Sequence, residues 1–265
     1  MSLIEAIILG IIQGLTEFLP VSSSGHIELG AYLLNIHTSD NLLFTIIVHA
    51  ATALSTIVIF RKDILEIIKD LFKFQWNEST QFAAKIALSM IPVGVIGVLF
   101  EDKIEALFAG NVTFVAFMLL ITGFLLTVTY YTSDGTKKVT FGRAIIIGLA
   151  QSIAILPGIS RSGTTIATSL YLGVEKSRAT RFSFLMVLPP ILGAALLKTI
   201  DFIKAPEVAA DSISGITLLA GFIAAFVSGL LACQWMIKIV RQGKLIYFAV
   251  YCIIVAIVVL SVVYF

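Results

Sequence analysis

Residues Gln13 to His26 read QGLTEFLPVSSSGH in a chain that is apolar over most of its length. The stretch contains an amide, a carboxylate, a proline, three consecutive serines and a histidine. Ionisable side chains and unpaired polar groups are expensive in hydrocarbon, so in a membrane protein they normally mark a functional site. We therefore expect Gln13 to His26 to form a buried polar site.

A second polar stretch, AQSIAILPGISRSGTT from Ala150 to Thr165, repeats the first one half a chain later. Adding 138 to the residue number aligns these identical residues: Gly10 with Gly148, Gln13 with Gln151, Ser22 with Ser160, Ser24 with Ser162 and Gly25 with Gly163. Two polar stretches of one pattern indicate an internal repeat.

The composition places the chain among polytopic membrane proteins. Of its 265 residues, 58% are hydrophobic and 13% are charged, which excludes an ordinary soluble globular protein. We expect one membrane domain over residues 1–265. The net charge is +2, and basic residues occur singly or in pairs, so nucleic acid is not an expected partner.

Six apolar runs are long enough to cross a bilayer, which takes about 20 residues. They are residues 41–60, 80–100, 112–131, 181–198, 213–236 and 245–264. The polar stretches lie outside these runs, and the outgoing arm that follows the first stretch climbs only about 15 Å as a helix. Each polar stretch therefore predicts a re-entrant hairpin, which must be buried in protein or line a wet cavity.

The predicted fold is an all-α polytopic membrane protein with about six transmembrane helices and two re-entrant helix hairpins. Repeat one, residues 1–135, contains the hairpin 3–36 and three spans, and repeat two, residues 138–265, contains the hairpin 142–173 and three spans. Three spans per half make an odd number, so the halves are predicted to be inverted repeats whose hairpin tips meet near the midplane.

The distribution of basic residues predicts the orientation in the membrane. On this topology the loops of one face carry most of the Lys and Arg residues, and the opposite face receives only Lys103, Lys198 and Lys204. By the positive-inside rule the Lys/Arg-rich loops lie in the cytoplasm and both termini lie outside.

Gln13 and Glu17 are four residues apart, which places both side chains on one face of a helix. A buried carboxylate beside an amide oxygen suits a hard divalent cation, Mg²⁺ or Ca²⁺. The structural alternative is that Glu17 accepts hydrogen bonds from backbone freed by Pro20 and only fixes the hairpin.

The outgoing arms of both hairpins predict an anion site. A helix that begins at the midplane has unpaired N–H groups and the positive end of its dipole at that depth, and both attract an anion. For a single Ser or Thr at such a position, the alternative and more common role is that of an N-cap. Arg161 adds a fork of donors suited to phosphate, with Glu17 as the alternative partner. The other residues assigned to phosphate binding are Ser22, Ser24, Gly25, Ser160, Ser162, Gly163 and Thr165.

Two further side chains in the first stretch have reactive chemistry. Ser23 is a candidate nucleophile, and His26 follows it within one helical turn. His26 is a candidate general base, proton donor or nucleophile towards phosphorus. His49 lies in the middle of a span without a motif, and we interpret it as a packing residue.

The two motifs QGLTEFLPVSSSGH and LPGISRSGTT together resemble the undecaprenyl-diphosphate phosphatase family, which is also known for bacitracin resistance. The resemblance implies hydrolysis of undecaprenyl diphosphate to the monophosphate carrier lipid for peptidoglycan synthesis, a divalent cation, and an active site open to the outer face of the bacterial inner membrane. The family's activity residues map onto Gln13, Glu17, Ser23, His26 and Arg161. Some members have Glu where this chain has Gln13, so here one predicted metal ligand is neutral.

The resemblance leaves the mechanism and the class of function open. Either Ser23 attacks the terminal phosphorus while His26 relays protons, or His26 itself forms the phospho-enzyme. A membrane transporter or lipid-phosphate flippase that uses the same midplane anion site is the alternative function. The expected partners are a polyprenyl diphosphate, membrane lipids and, in a homodimer, a second copy of the chain.

Overall fold

The computed structural model describes residues 1–34, 42–100, 111–133, 135–193 and 213–264, together with Lys103, Leu107 and Leu196. Within them the regular secondary structure is helical, and a single isolated bridge joins Lys137 to Val174. The helices are α1 (Leu3–Phe18), α2 (Ser23–Leu33), α3 (Leu42–Ile59), α4 (Arg61–Leu71), α5 (Glu78–Leu99), α6 (Val112–Thr129), α7 (Phe141–Ile153), α8 (Arg161–Tyr171), α9 (Lys176–Met186), α10 (Gly215–Arg241) and α11 (Ile246–Tyr264). The prediction of an all-α protein is confirmed.

Four of the described helices, α5, α6, α10 and α11, are long and apolar enough to cross a membrane. Helices α3 and α4 pass the same test together, with a bend of 79° between them. Many large apolar side chains on these helices are exposed, including Val98 at 78% and Ile216 at 74%, as expected of a surface that faces lipid. The chain is therefore a polytopic membrane protein.

The predicted span 181–198 is the one that differs most from the structure. Helix α9 begins earlier, at Lys176, and ends at Met186, and helix resumes at 188 after a turn at Val187. Pro189 and Pro190 have no N–H to donate to the carbonyls four residues before them, which interrupts the helix. The two prolines of the span 181–198 were expected to kink the helix, and within the described residues the structure has a break at Val187 instead. Residues 194, 195, 197 and 198 lie outside the described residues.

Each hairpin packs closely on one long helix. Helix α1 lies against α10, and α7 lies against α5. A Cβ atom on Gly10 would lie 2.5 Å from the carbonyl oxygen of Gly221, and one on Gly148 would clash with the backbone carbonyl of Ser89. Small residues let membrane helices approach to this extent, so two aligned glycines have the same packing function in the two halves.

The two hairpins also contact each other. Helices α1 and α2 pack together, as do α7 and α8. A Cβ on Gly25 would lie 3.0 Å from Cα of Gly158, and a Cβ on Gly163 would lie 3.1 Å from Cβ of Pro20. The turn of each hairpin therefore meets the first helical turn of the other. The re-entrant path through a bilayer and the inverted orientation of the halves stay predictions, and residues 35 and 36 of the first predicted hairpin lie outside the described residues.

The apolar core surrounds these hairpins in two clusters. The larger one includes Leu119 of α6, Ile166 of α8 and Phe182 of α9, all completely buried. The smaller one includes Ala6 and Val48 and joins α1, α3 and α10. The polar hairpin turns thus lie inside a packed apolar shell.

Candidate active site

The carboxylate of Glu17 is the centre of the candidate site. Glu17 lies at the end of α1 and is 8% exposed. Its Oε2 accepts hydrogen bonds from Ser23 Oγ at 2.7 Å and from Gln13 Nε2 at 2.9 Å. Its Oε1 accepts a hydrogen bond from the guanidinium of Arg161 in a partly buried ion pair. Four of the predicted site residues therefore meet at one carboxylate.

Local sequence explains how the first hairpin brings three of these residues together. Gln13 and Glu17 are one turn apart on α1. Pro20 disfavours the helical conformation at the residue before it, and Leu19 is accordingly extended, with φ −69° and ψ 143°. Helix α1 ends there, and the chain turns so that α2 begins at Ser23 beside the carboxylate.

Arg161 reaches the same carboxylate from the second hairpin. It is the first residue of α8, as Ser23 is the first residue of α2, and the two positions differ by 138. The side chain of Arg161 is 28% exposed, whereas that of Glu17 is 4% exposed. The position equivalent to Glu17 in the second half is Ile155, so the two hairpins share one carboxylate.

Two of the predicted phosphate ligands are helix N-caps. Ser22 Oγ accepts the backbone N–H of Gly25 at 3.2 Å, and Ser160 Oγ accepts that of Gly163 at 3.1 Å. This is the alternative role that sequence reasoning gave to single serines at such positions. The hydroxyl hydrogens of both serines are still donors.

Ser24 and Ser162 follow the two caps in the same way. The Ser24 hydroxyl lies 3.3 Å from that of Ser22, and the Ser162 hydroxyl lies 3.3 Å from that of Ser160. Ser162 also donates a hydrogen bond of 3.2 Å to the carbonyl of Leu19 in the first hairpin. Each helix N-terminus thus presents a pair of hydroxyls, and the second pair ties the two hairpins together.

A narrow cleft adjoins the Glu17–Arg161 pair. Ser162 and Thr165 of α8 line the cleft together with the ion pair. Its apolar lining residues are Phe18, Phe184, Val187 and Ile191. The cleft therefore combines groups suited to an anion with side chains suited to a hydrocarbon chain.

Three hydroxyl residues of the cleft were missed from the sequence: Thr52 and Thr56 of α3 and Ser183 of α9. Ser183 Oγ lies 2.6 Å from Thr165 Oγ1, so its hydroxyl is within hydrogen-bond distance of a predicted phosphate ligand. Thr56 Oγ1 donates to the carbonyl of Thr52 at 3.2 Å. Hydrogen bonds of this kind within a helix are common, so two threonines four residues apart in an apolar span do not indicate a functional site.

His26 has different partners from those predicted. Its Nδ1 lies 2.8 Å from the carbonyl oxygen of Ser22, and its Nε2 lies 2.9 Å from the hydroxyl of Tyr251. The hydroxyl of Ser23 donates to Glu17 instead. The structure therefore pairs Ser23 with Glu17 and His26 with Tyr251, and sequence reasoning did not single out Tyr251.

His49 lies in the middle of α3, near the cleft. Its Nδ1 lies 2.8 Å from the carbonyl of Thr45, one turn earlier on α3. Thr52, three residues on, lines the cleft. That His49 is a packing residue stays a prediction.

The oxygens near Glu17 fit a divalent cation that is shared with a phosphate ligand. Gln13 is completely buried, and its Oε1 has no hydrogen-bond partner among the described residues. The described residues contain no group of three or more His, Cys, Asp or Glu side chains that could enclose a metal ion. Mg²⁺ is commonly held by one or two carboxylates together with substrate phosphates, and this donor set agrees with that pattern.

Comparison with known proteins gives one consistent result. A family profile described as bacitracin resistance protein BacA matches residues 6–258. The chain is 54% identical over 257 residues to a Christiangramia forsetii protein named undecaprenyl-diphosphatase, and the match covers 96% of both chains. Proteins of the same name from Bacteroides thetaiotaomicron and Parabacteroides distasonis are 54% identical over 253 residues and 52% identical over 262 residues. These matches cover 95% and 98% of this chain and 96% and 98% of the relatives.

Proposed function

The chain belongs to the bacitracin resistance protein BacA family, and we propose that it hydrolyses undecaprenyl diphosphate to undecaprenyl phosphate and inorganic phosphate. This reaction recycles the carrier lipid for cell-wall synthesis and confers bacitracin resistance. The observation that carries the proposal is the buried carboxylate of Glu17, which receives a serine hydroxyl from one hairpin and a guanidinium from the other.

Arg161 binds the terminal phosphate in this proposal. A guanidinium has five N–H donors, and the contact with Glu17 leaves others free for phosphate oxygens. Ser162 and Thr165 line the cleft beside it. Donors that are fixed before the reaction stabilise the charge of the phosphoryl group during transfer, which is usually the largest contribution to such catalysis.

Ser23 is the nucleophile and Glu17 its base, because the hydroxyl donates directly to the carboxylate at 2.7 Å. Ser23 Oγ forms a bond to the terminal phosphorus while the bond from that phosphorus to the bridging oxygen breaks, and the hydroxyl proton passes to Glu17. Undecaprenyl phosphate leaves. Water then attacks the phosphoserine, phosphate is released, and the protons return to Ser23 and solvent. Attack by His26 remains the second candidate, but its Nε2 is bonded to Tyr251.

In this proposal the start of the prenyl chain packs against the apolar residues of the cleft. Phe184, Val187 and Ile191 lie on or after the broken end of α9, where Pro189 interrupts the helix. Polar and apolar lining residues in one cleft match the two parts of a polyprenyl diphosphate. The rest of the tail stays among membrane lipids.

We propose that Glu17 and the unpartnered Oε1 of Gln13 hold a divalent cation, Mg²⁺ or Ca²⁺, jointly with the diphosphate. When bound, such an ion neutralises part of the diphosphate charge. The chain's own contribution is to keep both oxygens buried and fixed on one face of α1.

Transport or lipid flipping is the less favoured function. An anion pathway needs donors near the midplane, but it does not need a hydroxyl bonded to a carboxylate base. The Ser23–Glu17 pair therefore supports hydrolysis over pure transport.

We further propose that the protein is a multi-pass protein of the bacterial cytoplasmic (inner) membrane, with its active site open to the outer face. Arg181 of α9 pairs with Asp63 of α4 at 2.6 Å, and Lys138 pairs with Glu78 of α5 at 2.8 Å. Both basic residues belong to the predicted Lys/Arg-rich face, which the positive-inside rule places in the cytoplasm, with both termini outside. The same proposal includes the inverted orientation of the repeats 1–135 and 138–265, which accessibility labelling of single cysteines tests. It also includes a homodimer, which crosslinking in membranes tests.

The deciding experiment measures inorganic phosphate released from undecaprenyl diphosphate or farnesyl diphosphate by purified protein in detergent. Reactions contain Mg²⁺, Ca²⁺ or a chelator, and wild type is compared with Glu17→Gln, Ser23→Ala, His26→Ala and Arg161→Lys. Metal-dependent release that Ser23→Ala abolishes supports the proposal. Absence of release by folded wild type under every ion would refute it, and transport of anion or lipid phosphate in liposomes would be measured next.

A further inference from the structure

Both ring nitrogens of His26 have hydrogen-bond partners, and the partners determine its tautomer. Nδ1 faces the carbonyl oxygen of Ser22 at 2.8 Å, and Nε2 faces the hydroxyl of Tyr251 at 2.9 Å. A carbonyl oxygen only accepts hydrogen bonds, so Nδ1 carries a hydrogen in either protonation state. Nε2 is therefore the nitrogen that gains and loses the proton.

Ser22, whose carbonyl makes the first of these contacts, has an unusual backbone conformation. Ser22 has φ 70° and ψ 98°, a conformation that residues other than glycine rarely adopt. Its carbonyl accepts the backbone N–H of His26 at 3.1 Å in addition to the imidazole. The equivalent Ser160 has an ordinary φ of −72°, and the residue equivalent to His26 is Thr164. The unusual backbone is thus found in the half that has an imidazole to orient.

Tyr251 supplies the second contact from the far end of the sequence, on α11. Its ring stacks on the imidazole, with centroids 5.6 Å apart and ring planes at 14°. A phenol hydroxyl donates to a neutral imidazole and accepts from an imidazolium. Tyr251 is therefore able to keep its hydrogen bond to His26 in both protonation states.

We propose that Tyr251 is a positioning residue of the phosphatase reaction, which holds His26 with Nε2 as its exchanging nitrogen. This inference rests on the proposed hydrolysis. The proton transfers are then divided between two pairs. Glu17 accepts the proton of Ser23, and His26, held by Tyr251, exchanges a proton with the water or the leaving oxygen. Tyr251 acts through His26 and does not itself contact the phosphate.

A double-variant cycle tests this role. Phosphate release is measured for wild type, Tyr251→Phe, His26→Ala and the protein with both changes, with Tyr247→Phe as the control because Tyr247 lies one turn earlier on α11 and is 67% exposed. Tyr251→Phe is expected to lower kcat about tenfold with little change in KM, as for other partners that orient a reactive histidine. In the His26→Ala background it should cause no further loss. Equal losses in both backgrounds, or no loss in wild type, would overturn the proposal.

Nitrogen NMR of histidine-labelled protein supplies a readout that does not depend on activity. The chain has three histidines, so His26 is assigned with the His26→Ala variant. In wild type we expect protonated Nδ1 and an Nε2 signal that moves in Tyr251→Phe but not in Tyr247→Phe. A neutral His26 that carries its hydrogen on Nε2 instead of Nδ1, or a His26 signal unaffected by Tyr251→Phe, contradicts the inference even if hydrolysis is confirmed. If wild type releases no phosphate, the proposed function fails, and the NMR result still decides whether Tyr251 orients His26.

Discussion

The hairpins α1–α2 and α7–α8 share a backbone plan but differ in their chemistry. Their outgoing helices start and end 138 residues apart, at Ser23 and Arg161 and at Leu33 and Tyr171. In both, the hydroxyl oxygen of an N-cap serine accepts a hydrogen bond from the backbone N–H of a glycine three residues later, at 3.2 and 3.1 Å. The repeat therefore preserves the features that make a helix begin inside the protein.

The reactive positions are those at which the two hairpins differ. Glu17 aligns with Ile155 and His26 aligns with Thr164. Gln13 and Gln151 are identical and equally buried, but Gln13 Nε2 donates to Glu17 whereas that of Gln151 faces a methionine sulfur at 3.9 Å. The comparison teaches that the repeat builds two helix N-termini around one carboxylate, which the first half alone supplies.

The largest expected effect comes from removing that unique carboxylate. Glu17→Gln keeps the shape of the side chain but removes the base and the charge that holds Arg161, so we expect kcat to fall by about 10³-fold. Phosphate release by purified protein measures it. Glu28→Gln is the comparison, since Glu28 is a second buried carboxylate of the first hairpin. Equal losses in both variants would contradict the assignment of Glu17 as the base.

Arg161→Lys tests the donor that the second hairpin contributes. A lysine keeps the charge but not the planar fork of donors, so we expect kcat to fall by about 10²-fold. Arg143→Lys is the matched control, because that guanidinium bonds a backbone carbonyl at the protein surface. Full activity of Arg161→Lys would show that charge alone is needed.

Gly10→Val and Gly148→Val test the part of the plan that the halves share. Each added side chain meets a backbone carbonyl of a neighbouring helix, so both variants should lose about 2 kcal/mol of stability. Thermal unfolding in detergent measures the loss. Gly142→Ala is the control, because a Cβ there meets no atom within 4 Å. A loss in only one half would mean that the two helix contacts are not equivalent.

The smallest expected effect separates the two aligned glutamines. Gln13→Ala removes a donor to Glu17 and the proposed oxygen for the cation, so we expect a loss of about tenfold in kcat and a higher Mg²⁺ requirement. Gln151→Ala should change activity by less than about twofold, within the range of substitutions away from a site. Titration of activity with Mg²⁺ measures both. Equal losses would place the second glutamine in the site as well.

Sequence predicted the features that depend on local pattern. The predicted spans 112–131 and 245–264 agree with α6 and α11 within two residues at each end, because apolar length alone defines such helices. The repeat likewise predicted that the two hairpin turns meet, but Arg161 was expected to bind phosphate, and its pairing with Glu17 is the alternative that the sequence left open. The break at Val187 was missed because Pro189 and Pro190 were expected only to kink a span.

The contacts that sequence did not predict join distant segments through packing. His26 and Tyr251 are 225 residues apart, and no pattern near either indicates the other. Ser183 enters the cleft because α9 packs on α8, and its hydroxyl resembles any other in a membrane helix. That Ser23 is a nucleophile stays a prediction, and its hydrogen bond to Glu17 follows from the turn at Pro20, which the sequence did not show in this detail.

The Glu17–Arg161 pair also sets an order of events during biosynthesis. The two residues are separated by 144 positions, so at ribosomal rates of about 5–20 residues per second Arg161 is made roughly 7–30 s after Glu17. Gln13 and Ser23 are only four and six residues away, and they are present from the start. The nascent first hairpin therefore carries its own two donors for the carboxylate, and the charge is neutralised only when the second half is inserted.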